Sequence, residues 1–291
     1  MRICSLLPSA TEILFGLGLG DRVVAVSEEC DTPAEARRLP RVTASRVDTA
    51  ALDSRAIDDA VRAAIADGRS LYAIDAAAIE RLAPDVIVTQ DLCEVCAVSS
   101  GEVAELCPVG ARVVSLDPRT VDEVAESVRA LGRELGAEAE GDALARTMLD
   151  AIDRTRRAVT GLPRPRVFVN EWLEPPYAAG HWVPELVEAA GGDEIFGLVG
   201  EPSRPTTWDE VVAHEPELIV IAACGYDAER SAREARLPDL PCRVVAVDAG
   251  SFYSRPAPRL ADGVAQLAHL LHPDVVPDPG LPLVELTPLR A

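Results

Sequence analysis

The sequence predicts an α/β protein of two lobes, each a mostly parallel sheet flanked by helices, joined by a long backbone helix. Short β-branched runs alternate with helical patterns from end to end, which is how βαβ units read in sequence. The 291 residues are more than one ordinary core organises, and 48 % hydrophobic content is enough to fill two. A proline-free stretch over residues 120–160 interrupts the alternation. There, apolar residues recur at helical spacing: Val121, Val124, Val128, Leu131 and Leu135, then Leu144, Met148, Ile152 and Val159. Gly136 and Gly141 leave open whether this is one long connector or two helices end to end.

Taken in order, the first lobe covers residues 2–118, with strands at 3–7, 23–26, 86–89 and 112–115. Residues 50–68 are alanine-rich and helical, and a second helix over 76–82 delivers the chain to Pro84 and the third strand. The connecting helix occupies 119–161, where Gly161-Leu162-Pro163-Arg164-Pro165 stops it. The second lobe, 162–273, has strands at 167–170, 218–222 and 244–247 and helices at 183–190, 209–214 and 258–271. The proline-rich tail over 274–291 shows no periodicity and reads as a surface strap or a disordered segment.

The net charge is -20 and all 28 basic residues are arginine. Such a field repels phosphate backbones and anionic lipid, which argues against nucleic-acid and membrane-surface roles. No apolar stretch approaches the roughly 20 residues that span a bilayer. Met1 runs almost at once into the first strand, leaving no room for a signal peptide, so a cytoplasmic protein is expected. Seven cysteines, an odd number in a reducing compartment, read as thiols or metal ligands in preference to disulfides.

In open α/β sheets, ligands sit beyond the carboxyl ends of the strands. One buried-strand signal in each half runs into a cysteine-bearing loop, which predicts a cleft between the lobes. After residues 85–89 come Gln90, Asp91, Cys93 and Cys96; after 218–222 come Cys224 and Tyr226. The second strand ends in Ser27-Glu28-Glu29-Cys30-Asp31, so Glu29 and Cys30 join the candidates. The CxxC spacing of Cys93 and Cys96 suits zinc, an iron-sulfur cluster or dithiol chemistry, with Cys30, Cys224 or His181 as further ligands. The alternative is that small thiols fill tight packing, the reading adopted for Cys4, Cys107 and Cys242.

Ser9-Ala10-Thr11-Glu12 has the pattern of a capping box, and the helix amides there could receive an anionic group of a ligand. Glu171 and Trp172 follow the first strand of the second lobe, and Tyr177, His181 and Trp182 lie just beyond. This density of aromatics, in a chain where they make up only 4 %, suits a large flat ring. Neutral imidazole at His181 would suit a metal. His214, His269 and His272 read as structural or exposed. Catalytic patterns are lacking: there is no GxSxG elbow, phosphate-cradling glycine loop or HExxH helix, so an enzyme is not expected.

Ser5-Leu6-Leu7-Pro8-Ser9-Ala10-Thr11-Glu12 and its continuation through Ser27, then Leu82-Ala83-Pro84-Asp85-Val86-Ile87-Val88, resemble the solute-binding proteins of iron-chelate and cobalamin ABC transporters. Gly191-Gly192, Trp208-Asp209-Glu210-Val211 and Glu215-Pro216-Glu217-Leu218-Ile219-Val220 continue the resemblance, which covers residues 2–272. It implies a protein that captures a corrinoid, tetrapyrrole or metal chelate in the cleft. It also carries over Tyr253, Arg255 and Arg259, in the loop after the last strand, as ligand contacts. Cobalamin-binding relatives place ring-stacking tryptophans where this chain has Gln90 or Asp91 and Ser203-Arg204. They also dock on a membrane permease through one surface acid per lobe, the second of which Asp209 matches by position. Cobalamin or another tetrapyrrole or metal chelate is thus the expected ligand, with zinc or an iron-sulfur cluster as the alternative. The alternative from the thiols is a cytoplasmic metal or iron-sulfur protein, with a metalloenzyme as its extreme form.

Overall fold

The structure, a computed structural model, describes residues 1–67, 70–92, 98–106 and 110–286. The chain divides into two compact units: Met1–Pro118 with Glu126–Ala145, and Arg119–Ala125 with Arg146–Ala291.

In the first unit the elements run β1 (Ile3–Ser5), α1 (Pro8–Gly16), β2 (Val23–Val26), β3 (Thr43–Ser45), α2 (Ser54–Ala66), β4 (Tyr72–Ile74), α3 (Ala76–Leu82), β5 (Val86–Thr89), α4 (Ser100–Leu106) and β6 (Arg112–Ser115). β2-β1-β5-β6 form a parallel sheet, with Ile3 opposite Val23 on one side and Val86 on the other. Its central strands are buried along their whole length, as a parallel sheet sandwiched by other elements requires. Cys4, Leu6, Ala25, Ile79, Ile87 and Val103 share one core. β3 and β4, not anticipated from the sequence, make a separate antiparallel pair.

Three boundaries differ from expectation. The first strand stops at Ser5, not residue 7, because Leu7 is the extended cap of α1 and Pro8 starts the helix. The helix expected from residue 50 starts at Ser54, where the Asp53 carboxylate accepts from Ala56 N at 2.9 Å. The connector is two helices, α5 (Val121–Leu135) and α6 (Glu138–Ala158), separated at Gly136, whose φ of 72° ends the first. They meet face to face at Gly132 and Gly141. A Cβ on Gly132 would lie 2.8 Å from Ala137 O and 3.0 Å from Gly141 Cα, so only glycine allows the approach. The division between the units falls inside both helices.

The second unit contains β7 (Arg166–Trp172), β8 (Tyr177–Ala178), α7 (Val183–Ala189), β9 (Asp193–Glu194), β10 (Arg204–Pro205), α8 (Trp208–Ala213), β11 (Leu218–Ile221), α9 (Ala228–Glu234), β12 (Arg243–Val247), α10 (Ala249–Phe252), α11 (Leu260–Leu271) and β13 (Leu283–Leu286). Its sheet runs β10-β8-β7-β11-β12-β13, and β9 adds to β7. β7, β11 and β12 are parallel, whereas β8, β10 and β13 are antiparallel additions.

The tail therefore departs from the expected strap or disorder, because part of it closes an edge of the sheet. β13 pairs Leu286 with Val244 and Leu283 with Val247, Arg243 forms an ion pair with Glu285, and Gln266 Nε2 donates to Pro282 O at 3.1 Å. An uncovered β12 would leave a row of unpaired backbone groups over apolar residues. Among the described residues, no helix is long and apolar enough to cross a membrane.

Candidate functional site

Because β7, β11 and β12 run parallel, the loops that follow them emerge at one edge of the second unit's sheet. Trp172 ends β7, and its ring centroid lies 5.4 Å from that of Tyr226, in the loop after β11. Tyr226 is buried and held from behind. The Arg230 guanidinium lies 3.8 Å from its ring centroid, Arg230 Nη2 donates to its hydroxyl at 3.0 Å, and Arg230 Nε reaches Glu234 Oε1 at 2.8 Å. The Asp227 carboxylate caps α9 by accepting from Arg230 N at 2.7 Å, which sets the turn that brings Arg230 back over the tyrosine. Gly250 N donates to Tyr226 O, joining the loop after β12 to the same edge.

Glu171 and Cys224 are neighbours at this edge through Cys224 N donating to Glu171 O at 2.9 Å; both residues are half-buried. The Glu171 carboxyl group is itself enclosed, and that burial raises its pKa against the lowering effect of Gly180 N–H, at 3.2 Å, and the Ser203 hydroxyl. Arg255 and Arg259 are half-buried, the latter with its guanidinium 5.3 Å from the Phe252 ring centroid.

Trp182 and Tyr253 depart from the expected exposed ring faces. Both are buried, Trp182 Nε1 donates to Tyr253 O at 2.7 Å, and the Tyr253 hydroxyl donates to Gln266 Oε1 at 2.8 Å. Their polar tips are spent inside the unit, so both rings serve as packing. His181 has a left-handed backbone, φ 52°, held by its N donating to Glu201 O at 2.7 Å and its O accepting from Gly200 N. Burial, then the Arg119 charge, lowers its pKa, so the imidazole is neutral near pH 7.

In the first unit the box expected at Ser9 to Glu12 does not form. Ser9 is buried inside α1, and Leu7 caps the helix without a side-chain bond, because Pro8 has already started it. Capping boxes form instead at Thr207 and Glu210, on α8, and at Ser99 and Glu102, on α4. Glu12 is half-buried and Glu29 exposed. Cys30 is fully buried, with Thr11 Oγ1 at 3.0 Å and Ser27 Oγ at 3.2 Å from its sulfur. It lies in the interior of the first unit beside two hydroxyls, and its expected co-ligands Cys93 and Cys96 lie outside the described residues.

Gln90 is buried. The Asp91 carboxylate accepts from Ser100 N at 2.8 Å and Ser115 Oγ at 3.1 Å, and its own N–H donates to Asp117, so it laces β5, α4 and β6 together. Burial alone would raise its pKa, but these hydrogen bonds outweigh it and the net shift is downward. Cys93 and Cys96 lie outside the described residues, as does Cys107. Among the described residues, no three His, Cys, Asp or Glu side chains come together as a metal site. Cys4 is core, whereas Cys242 is only half-buried at the start of β12.

Sequence reasoning missed a hollow of about 290 Å³ in the second unit, lined by Ala179, Phe196, Gly197, Leu198, Pro202 and Arg204, with Glu201 at the same wall. Glu194 fixes its floor: Oε2 accepts from Phe196 N at 2.9 Å and Gly197 N at 2.6 Å, while Oε1 is buried with no partner. Burial drives the Glu194 pKa upward despite those donors. The signal that could have located it is the acid just before Phe196-Gly197, which satisfies backbone amides at a turn.

Two α/β units, each ending parallel strands in loops at one edge and linked by a helical connector, are the architecture of the two-lobed binding proteins. The chain belongs to the periplasmic binding protein family, which it matches over residues 3–241. It is 26% identical over 274 residues to the vitamin B12-binding protein of Vibrio cholerae serotype O1, covering 93% of this chain and 88% of that protein. The corresponding protein of Yersinia pestis is 24% identical over 272 residues, 91% of this chain and 84% of its own length.

Among solved structures, the periplasmic vitamin B12-binding protein of Vibrio cholerae superposes with a TM-score of 0.63 at 25% identity, covering 93% of this chain and 96% of that one. The apo form of a periplasmic heme-binding protein from Roseiflexus superposes at 0.68 with 21% identity, over 94% and 98% respectively, a likeness of fold. The expected cytoplasmic location is thereby corrected. The family and these solved relatives are periplasmic, and the strand next to Met1 describes a stretch of sequence, not a compartment. The family is one of binding proteins, so the chain is not an enzyme.

Proposed function

We propose that this chain captures a corrinoid, a related tetrapyrrole or a metal chelate and delivers it to an ABC transporter. The observation that carries the reading is the likeness to vitamin B12-binding proteins across 93% of the chain. Trp172 is its aromatic contact, backed by Tyr226, Arg230 and Glu234. Glu171, Arg255 and Arg259, at the same edge of the second unit, supply its polar contacts. Docking on a permease belongs to the same reading, through Asp209, which is exposed in the first turn of α8.

Titration with cyanocobalamin, dicyanocobinamide, hemin and a ferric siderophore, followed by absorbance and calorimetry, is the test. Saturable one-to-one binding of at least one is expected, and silence with all four overturns the reading. Trp172→Ala should weaken the ligand that binds by about tenfold, the loss of one ring contact, with thermal stability nearly unchanged.

A further inference from the structure

The hollow beside Phe196 combines an apolar floor with a cation that is nearly unused. The Arg204 guanidinium lies 5.5 Å from the Phe196 ring centroid, and among the described residues it makes one hydrogen bond, Nη2 to Phe196 O at 3.3 Å. Most of its N–H fork is therefore left to meet an acceptor. Arg204 is anchored by pairing with Ala178 in the sheet, so the fork has a fixed base.

The walls are equally fixed. The Phe196 ring packs edge-on against Phe168 at 5.7 Å and lies 4.6 Å from the His214 ring. A Cβ on Gly197 would come within 2.6 Å of Ala179 O, and one on Gly180 within 2.4 Å of Glu201 O. Backbones this close leave little freedom to reshape the wall. Leu198, part of the lining, is 59% exposed and gives the hollow an apolar lip. A volume of about 290 Å³ holds one edge of a macrocycle and not the whole of it.

Two carboxylates temper the positive charge. Glu201 lines the wall, and Glu210 stands near Arg204, already accepting from Thr206 Oγ1 at 2.8 Å and Thr207 N at 3.1 Å. They disfavour a dense dianion such as phosphate, while a single carboxylate still matches the planar fork in two-point contact.

From these features we infer that the Phe196–Arg204 hollow is a specificity subsite for a ring edge that carries a free carboxylate. The inference rests on the tetrapyrrole reading above and narrows it to acid-bearing members of that class. Phe196 and the Leu198 lip take the ring edge, and Arg204 takes the carboxylate.

Paired ligands that differ only in esterification test it: hemin against hemin dimethyl ester, and dicyanocobyrinic acid against its heptamethyl ester. Wild-type protein should bind the acid of at least one pair about tenfold more tightly than the ester. Arg204→Gln should abolish that preference by weakening the acid alone, and Arg204→Lys, which keeps the charge and loses the fork, should restore only part of it. Equal wild-type affinity for acid and ester, or an Arg204→Gln loss shared by both, overturns the subsite and leaves the ring-binding reading standing. Binding of neither form of either ring, together with silence in the four-ligand titration, overturns both. An unchanged melting temperature for Arg204→Gln, an exposed position, shows that the comparison reports on binding.

Discussion

Glu194 places one carboxylate oxygen on two backbone amides but is enclosed, and burial makes its charged form costly despite those donors. Its folded pKa is raised, so the folded state holds the proton to higher pH than the unfolded chain does. That contribution is complete below the unfolded value and lost as pH rises through the folded one. Glu194→Gln keeps the acceptor and removes the charge. Its melting temperature should gain on wild type between pH 5 and 8, and a constant difference across that range would refute the assignment. Tyr253 is shifted in the same direction by burial and then by Asp248. Tyr253 should not ionise in an alkaline absorbance titration until the protein unfolds, and Tyr253→Phe should leave the folded-state titration unchanged. At this scale the sequence was partly legible. It picked out Trp172 and Tyr226 after strands, Trp182 at a helix start and, through the resemblance, Tyr253, but spacing could not tell which turn inward. That depends on the 71 positions between Trp182 Nε1 and the carbonyl it meets.

At the scale of elements, strands buried on both faces could be read directly, because a parallel sheet under helices demands unbroken apolar runs such as Val86–Thr89 and Leu218–Ile221. Short strands that exist because a neighbour needs a partner could not. β13 has four residues, alternating exposed and half-buried, with no local signal strong enough to oppose the prolines around it. Removing residues 281–291 should cost about 2–4 kcal/mol through lost ladder bonds and the Glu285 ion pair, and should promote association through the bared edge of β12. Urea denaturation and light scattering would check both effects, and a truncated protein of full stability would show that β13 is ornamental. Capping repeats the lesson. Ser9-Ala10-Thr11-Glu12 and Thr207-Trp208-Asp209-Glu210 share one pattern, but Pro8 starts the first helix two residues too early for its box, a signal already present in the sequence.

For the whole molecule, a net charge of -20 imposes self-repulsion on the folded chain. Raising sodium chloride from about 0.05 to 0.5 M shortens the Debye length severalfold and should raise the melting temperature. A fall would mean that the arginine ion pairs, such as Arg243 with Glu285, outweigh the repulsion. Composition and patterning by themselves determined the α/β class, the central strands and the helical connector, because burying apolar runs is a local demand that each segment states in its own residues. The resemblance to transporter binding proteins was legible for the same reason, in contiguous motifs. Tertiary structure alone decided that Cys30 is enclosed by hydroxyls and that Phe196, Gly197, Ala179 and Arg204 surround one hollow. Each of those outcomes depends on contacts between segments far apart in sequence or on packing around a buried group, and no stretch of the chain carries that information alone.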